Sequence, residues 1–229
     1  MSLAGQGAVA IWHDIAPEGR SDFYAWHGRE HMPERVGIPG FLRGRRYIAL
    51  DGAPEFFNLY ETAARETVAG PDYLARLNDP TAWTTATVRH FRGVARSLCE
   101  VAASVGEGQG GLIATFRYTV DDDVVARRRN ALAHSVLPQL AAEAGVAGCH
   151  LLVADEAASA VETAERRLRS EKNAIPRCIL LVESWGDVDS FQALCRRIVG
   201  DSLFGDTPAP ASGLYRLQNS RSSPALRAG

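Results

Sequence analysis

The order of predicted secondary-structure elements occurs twice along the chain, and this repetition restricts the folds that the chain can adopt. Strand-forming runs, helical patterns and turn signals predict the order β-α-β-β-α-β over residues 8–103, and again over residues 112–219. Matching segments accompany it: VGIPGFLRGRRYIA resembles AGVAGCHLLVA, and FFNLYET resembles CILLVESW. The order is that of the split βαβ motif, so an α+β chain with an internal duplication is predicted.

The boundary between the two units is predicted at a glycine-rich segment, GEGQGG, at residues 106–111. We predict a ferredoxin-like repeat 1 over residues 1–105, a repeat 2 over residues 106–219 and a disordered tail over residues 220–229. Repeat 2 has an insert at about residues 155–173, where repeat 1 has a tight turn. A thin apolar stripe (Ala157, Ala160, Val161, Ala164 and Leu168) predicts a charged surface helix there.

Helix boundaries are predicted from capping residues and from breaks. In repeat 1, Ser21 or Asp22 is the expected N-cap of a helix that runs from Phe23 towards Glu34. A Gly-Ile-Pro-Gly turn at residues 37–40 ends this pattern. In repeat 2, three aspartates at residues 121–123 are expected to start the first helix.

The composition narrows the class of protein. The formal net charge is −2 and the longest basic block is the triplet at residues 127–129, so no nucleic-acid partner is predicted. No window approaches the roughly 18 apolar residues of a membrane span, and no signal peptide is recognised. The four cysteines are predicted to be buried, reduced thiols. A cytoplasmic protein without a membrane partner is therefore expected.

One stretch, residues 26–47 (WHGREHMPERVGIPGFLRGRRY), concentrates the residues that are suited to chemistry. His31 lies in a His-x-Pro step at a predicted helix end, where an imidazole of pKa about 6.5 suits a general base or a ligand hydrogen bond. Alternatively, it caps its own helix. Arg43, Arg45 and Tyr47 share one face of the next strand. We expect these side chains to bind an acidic or enolisable ligand. Alternatively, the arginines form ion pairs with carboxylates across the contact between the two units.

A metal site is not predicted. His27, Glu30 and His31 spell the H-x-x-E-H pattern of some zinc proteases, but two ligands fall short of the three that a catalytic zinc requires. No cofactor is predicted either.

In repeat 2 the nearest counterpart of His31 is expected to be His134, whose sequence neighbours are not of residue types suited to a site. The site should therefore be asymmetric and belong to repeat 1.

The motifs of repeat 1 resemble the dimeric α+β barrel superfamily, and in particular its EthD-like members. The resemblance is carried by the His31-Met32-Pro33 step, the Pro39-Gly40-Phe41 turn and the strand with Arg43, Arg45, Arg46 and Tyr47. It is good over residues 8–103, and over residues 111–219 it is carried by element order. It implies two ferredoxin-like βαββαβ repeats that form an intrachain pseudo-dimeric α+β barrel. A ligand cavity is then expected between the sheet and its helices or inside the barrel.

The resemblance also implies what such a cavity does. Members include cofactor-free monooxygenases that act on aromatic polyketides, lactone isomerases, haem enzymes and proteins with no known activity. For this chain it implies a small, mainly apolar or aromatic organic ligand, with proton transfer or cofactor-independent oxygenation near His31. The expected catalytic residues are His31 and Tyr47, and the expected substrate-binding residues are Trp12, Trp26, Arg45, Tyr60 and Trp83. Alternatively, Trp12, Tyr60 and Trp83 are plain core residues, since aromatic rings dominate protein cores.

Two alternatives and one further partner stay open. A non-catalytic binding or assembly module predicts a lumen that is filled by side chains and no cavity of a few hundred Å³. A haem-binding barrel would use His90 as its candidate ligand. Two chains are also expected to be able to associate into a homodimer of pseudo-dimeric chains.

Overall fold

A computed structural model describes residues 3–118, 129–200 and 210–227 of the chain. The expected helix start at residues 121–123 lies outside the described residues. The strands β1 to β8 run over Gly7–Ile15, Phe41–Gly52, Phe56–Thr62, Phe91–Gly106, Leu112–Tyr118, Val146–Ala154, Cys178–Ser184 and Ala211–Ser222. The helices α1 to α9 run over Arg20–Trp26, Met32–Val36, Pro71–Asn78, Ala82–Val88, Leu137–Ala141, Glu156–Ala160, Ala164–Arg167, Val188–Gly200 and Pro224–Arg227. Short helical turns add Pro17–Gly19, His27–His31, Arg65–Ala69 and Leu132–Val136.

The eight strands close into one antiparallel barrel in the order β1-β3-β2-β8-β5-β7-β6-β4. The first half contributes the run β4-β1-β3-β2 and the second half the equivalent run β8-β5-β7-β6. The two halves meet at the β2–β8 and β4–β6 seams. Closure leaves no unpaired sheet edge. The predicted fold, an intrachain α+β barrel of two ferredoxin-like units, is confirmed.

The first helix is longer than the sequence predicts at both ends. Gly19 precedes α1 without a side-chain cap, and Asp22 instead accepts hydrogen bonds from Trp83 Nε1 and Thr87 Oγ1, each at 2.9 Å. The helix does not end at His31: the π-helical turn His27–His31 leads directly into α2. The wider turn accommodates Pro33, which lacks an N–H and would clash inside a regular helix. His31 therefore lies in the middle of this helix.

The insert is not one surface helix with an apolar stripe. It forms two short helices, α6 and α7, and Val161 between them is 45% exposed. Its buried side chains are polar, namely Ser159, Thr163 and Glu165. Ser159 Oγ accepts a hydrogen bond from Leu98 N at 2.9 Å, which ties the insert to β4 of the first half. The apolar stripe therefore does not mark the face of this segment that is buried.

The C-terminal segment also differs from its prediction as a disordered tail. Strand β8 continues to Ser222, and α9 follows over Pro224–Arg227. Ser223 N donates to Leu42 O at 2.8 Å beside the β2–β8 seam. Among the helices that the structure describes, none combines the length and the hydropathy that crossing a bilayer requires.

Aromatic and aliphatic side chains fill the lumen of the barrel. Trp12 stacks on Phe57 with ring centroids 4.7 Å apart, and Tyr47 and Tyr215 lie 5.6 and 5.8 Å from the same ring. These four side chains are fully buried. The lumen is thus a packed core, and space for a ligand has to be sought between the sheet and the helices.

Candidate functional site

The predicted site residues lie on two opposite faces of the sheet. Successive strand residues alternate between faces, so one set points into the lumen and the other towards the helices. Trp12, Arg45 and Tyr47 belong to the lumen, whereas Trp26, His31 and Tyr60 lie on the helix side. The structure therefore does not bring the predicted catalytic pair, His31 and Tyr47, together.

Arg45 is part of a buried ion cluster that joins the two halves. Its Nη1 and Nη2 atoms donate to the Glu183 carboxylate at 2.8 and 3.0 Å, and its Nε lies 3.0 Å from Glu61 Oε1. The Arg45 guanidinium and His150 hold the pKa of the Glu183 carboxyl at about 2 against the opposing effect of burial. Arg45 therefore follows the alternative prediction, in which an arginine forms ion pairs with carboxylates between the two units.

Tyr47 lies beside this ion cluster. Burial raises the pKa of its phenol, and the hydroxyl has no hydrogen-bond partner in the structure. Because its ring packs in the lumen, Tyr47 is a core residue and does not lie on the face of β2 that is turned towards His31.

The candidate site is a small cavity between the first helix, the sheet and the insert. Its volume is about 20 Å³, which is room for about one water molecule. The lining side chains are mostly polar or aromatic: Ile11, Trp26, His27, His31, Arg35, Asn58, Tyr60, Tyr73, Phe91, Arg96, Glu165 and Arg169. Three of the predicted residues, Trp26, His31 and Tyr60, are therefore brought together.

Two neutral imidazoles face this cavity from the π-helical turn. His27 and His31 lie four residues apart, with ring centroids 5.6 Å from each other. Burial lowers the pKa of both well below the usual value, and neighbouring arginines add to the effect. The Nδ1 atoms of both are buried without a hydrogen-bond partner. Both imidazoles are thus uncharged, and each has one buried ring nitrogen without a partner among the described residues.

Aromatic rings hold these imidazoles in place. The ring centroid of Trp26 lies 4.2 Å from that of His31. The Trp26 indole Nε1 donates to Thr84 Oγ1 at 3.1 Å, which fixes the ring. The Tyr60 hydroxyl lies 3.3 Å from His27 Nε2, and burial raises the pKa of Tyr60, so the phenol stays protonated.

A third histidine orients the amide that faces the cavity from the sheet. His13 Nδ1 lies 3.3 Å from the Asp14 carbonyl oxygen, so this nitrogen carries the proton. His13 Nε2 then accepts a hydrogen bond from Asn58 Nδ2 at 2.9 Å. Burial lowers the pKa of His13 to about 3, which keeps the ring neutral. Asn58 Oδ1 is left buried without a partner, as an acceptor beside the cavity.

The outer wall of the cavity comes from the second half of the chain. Glu165 on α7 pairs with Arg35 on α2, and its Oε1 accepts from Arg169 Nη2 at 3.2 Å. Two further bonds hold the insert down: Ala164 N donates to Asn78 Oδ1 at 3.1 Å, and Gly93 N donates to Glu171 at 3.0 Å. The insert thus closes the first-half cavity.

Sequence reasoning missed most of this cavity. The residues it did not propose for a site are His13, Arg35, Asn58, Tyr73, Arg96, Glu165 and Arg169. Polar residues inside otherwise apolar strand runs, such as His13 and Asn58, were an available signal. Nothing in the insert indicated that its charged side chains would be buried against the other half.

The remaining candidates lie elsewhere. Trp83 packs on the outside of α4, where its indole Nε1 binds Asp22, and does not line the cavity. His90 Nδ1 lies 3.8 Å from Glu18 Oε1, and His90 does not line the cavity either. His134 is exposed. Nowhere in the described ranges do three or more His, Cys, Asp or Glu side chains assemble as a metal site would need.

The closed eight-stranded barrel with helices outside it is the dimeric α+β barrel fold, with both units in one polypeptide. No family model and no curated relative matches the sequence. One similar solved structure is an anthrone oxidase-like protein, with TM-score 0.61, 13% identity and 99% of this chain and 97% of that chain covered.

Two further solved structures share the fold. A candidate monooxygenase from Fusobacterium nucleatum subsp. nucleatum has TM-score 0.59 and 5% identity, with 96% of both chains covered. A candidate monooxygenase from Lactobacillus acidophilus has TM-score 0.57 and 9% identity, with 95% of this chain and 96% of that chain covered. At these identities the similarity establishes the fold alone.

Proposed function

We propose that the chain binds a small, mainly aromatic organic molecule in the cavity beside His31 and catalyses proton transfer from it without a cofactor. One observation carries the proposal. Four buried polar atoms without a partner among the described residues belong to side chains that line one cavity: His27 Nδ1, His31 Nδ1, Asn58 Oδ1 and Arg169 Nε. Buried polar atoms are normally paired, and unpaired ones concentrate at functional sites.

The chemistry follows from the protonation states. A neutral imidazole accepts a proton from an acidic C–H or O–H of an activated aromatic substrate. The enolate or phenolate that forms is stabilised by the buried guanidinium groups. It then takes a proton back at another carbon, which is an isomerisation, or reacts with O₂, which is an oxygenation. The anthrone oxidase-like and candidate monooxygenase neighbours are the reason to test oxygenation first.

Binding requires the insert to move. A cavity of about 20 Å³ does not hold an aromatic ring, because ligand pockets reach several hundred Å³. The insert is a wall that is fastened in part by exposed hydrogen bonds, such as that from Ala164 N to Asn78 Oδ1. We expect the insert to act as a lid over the site.

A cytoplasmic location and a homodimer of such chains stay predictions.

The test is His31→Ala with His134→Ala as its matched control. His134 is an exposed histidine on the first helix of the other half. Activity is measured as oxygen uptake and as product formation from a panel of anthrones, naphthols and enolisable lactones. Loss of a general base lowers kcat/KM by about 100-fold or more, whereas His134→Ala should retain wild-type values. Equal activity of the two folded variants contradicts the role of His31.

A second candidate function is a non-catalytic binding or assembly module. The filled lumen and the small cavity favour it, because both are features of a packed core. It predicts that no member of the panel is turned over and that His31→Ala changes neither ligand affinity nor association state. Turnover that is lost in His31→Ala excludes this candidate.

A further inference from the structure

The wall of the cavity that is formed by β4, α2 and the insert carries an excess of positive charge. Three lining residues are arginines, Arg35, Arg96 and Arg169, and one lining residue is a carboxylate, Glu165. Glu34, which is not a lining residue, also pairs with Arg35, with 2.9 Å between Nη1 and Oε2. Three cationic groups against two carboxylates leave one positive charge. In a buried site this excess is unfavourable unless an anion neutralises it.

Arg169 keeps a buried donor atom without a partner among the described residues. Its side chain is 6% exposed, and it donates from Nη2 to Glu165 while its Nε has no partner. Burial, which Glu165 opposes and Arg96 and Arg35 reinforce, lowers the pKa of Arg169. Arg96 is also buried, and its Nη2 donates to the Tyr73 hydroxyl oxygen at 3.0 Å. No carboxylate pairs with Arg96 among the described residues.

We propose that Arg96 and Arg169 form an anion subsite that holds the carboxylate of the ligand, so that the substrate is a small aromatic acid. This rests on the proposed function, in which the aromatic ring lies beside His31 and Trp26. Guanidinium groups bind carboxylates through short, charge-assisted hydrogen bonds. The carboxylate of the ligand neutralises the one excess positive charge of this wall.

The subsite spans the seam between the two halves. Arg96 lies on β4, and Arg169 follows α7 in the insert between β6 and β7. The second half therefore supplies a specificity residue to a cavity whose imidazoles belong to the first half. Closure of the insert over the cavity is therefore coupled to binding of the acid.

The test compares two probes, 1-hydroxy-2-naphthoate and its uncharged carboxamide, by calorimetric titration. The wild-type chain is expected to bind the carboxylate at least about tenfold more tightly than the amide. Arg169→Gln should bring this ratio close to one, with the affinity for the amide unchanged. Arg166→Gln is the matched control, because Arg166 lies on the same insert helix and is not among the residues that line the cavity. It should keep the wild-type ratio.

Arg96→Gln gives a second reading if Arg169→Gln does not fold, since it leaves the Arg169–Glu165 pair intact. The anion subsite is overturned if the wild-type chain binds the carboxylate and the amide equally well. It is also overturned if Arg169→Gln and Arg96→Gln both keep the wild-type ratio of the two affinities. If in that case His31→Ala still abolishes turnover of neutral substrates, the proposed function stands without the subsite. If the wild-type chain binds neither probe and turns over no member of the panel, both proposals fall.

Discussion

In each half the helices and the sheet residues beneath them form one layer, which we call the first layer in the first half and the second layer in the second half. The two layers have the same geometry, but the first is polar and the second is apolar. In each half a π-helical turn precedes a proline, Pro33 or Pro138, and a glycine of left-handed conformation, Gly40 or Gly145, leads into the next strand. These landmarks align His31 with Val136. They also correct the expected match of His31 with His134, because His134 aligns with Arg29.

The polar residues of the first layer are replaced by aliphatic ones in the second. The strand registers Val9 to Tyr60 and Ala114 to Val182 extend the alignment to the sheet. The corresponding pairs are His27 and Leu132, His31 and Val136, Arg35 and Leu140, Asn58 and Leu180, and Tyr60 and Val182. The second layer has the composition of an ordinary core, so it can supply stability while the first layer keeps unpaired polar groups.

The largest expected effect comes from giving the second layer a polar residue of the first. Leu180 is fully buried in the apolar cluster of the second half. Leu180→Asn should lower the free energy of unfolding by about 4 kcal/mol or more, since it removes apolar volume and buries an amide without a partner. The reverse change, Asn58→Leu, loses one hydrogen bond to His13 and gains apolar contact. It should stay within about 1 kcal/mol of wild type. Urea denaturation measures both, and equal destabilisation would show that the layers do not differ.

The second prediction concerns the pH dependence that the first layer imposes on stability. Because His13 has a pKa of about 3 in the folded chain and 6.5 as its ordinary value, the unfolded chain binds a proton below pH 6.5 that the folded chain does not. Stability therefore falls with decreasing pH, by up to about 1.4 kcal/mol per pH unit for this group. His13→Phe, which fits among Phe23, Phe56 and Phe91, removes this contribution.

Free energies of unfolding at pH 6.5 and pH 5.0 test this prediction. The difference between the two pH values should be about 2 kcal/mol smaller in His13→Phe than in wild type. The lost hydrogen bond to Asn58 affects both pH values and cancels from the difference. His134→Gln on the other layer is expected to keep the wild-type difference. An unchanged difference in His13→Phe would mean that the first layer is not built on neutral histidines.

The frame of both halves could be predicted from local signals in the sequence. Strand propensity, the turn at residues 37–40 and the duplicated order lead to the barrel, because each depends on neighbours in sequence. The face of each strand residue also follows from alternation, which places Arg45 and Tyr47 together. Which of the two faces holds the cavity does not follow, since both faces are buried in a closed barrel.

The partners of the site residues depended on tertiary contacts that no local pattern encodes. Glu165 and Arg35 are 130 residues apart in the chain. Arg169 resembles an ordinary surface arginine in a charged insert, and only the packing of that insert on the first half buries it. The π-helical turn was missed for a similar reason: Pro33 suggests a helix end, yet the widened turn lets the helix pass.

The smallest expected effect is on the insert, the element by which the second half covers the first layer. Asn78→Ala removes the hydrogen bond from Ala164 N and should lower global stability by less than about 1 kcal/mol, because the bond is exposed. Hydrogen exchange of amides in residues 159–168 should nevertheless accelerate about threefold, since local opening needs less free energy than global unfolding. Asp79→Ala is the control, as its exposed carboxylate pairs with Arg76 and with no other cationic side chain in the described ranges.

Ligand binding should reverse this change. If the insert is the lid, 1-hydroxy-2-naphthoate at saturation slows exchange in residues 159–168 of both wild type and Asn78→Ala, and the bound forms become similar. Exchange that is unaffected by Asn78→Ala and by the probe would show that the wall is rigid. A rigid wall around a cavity of about 20 Å³ admits no aromatic molecule, so the first layer would then be a polar core, and the non-catalytic candidate would be the better account of the chain.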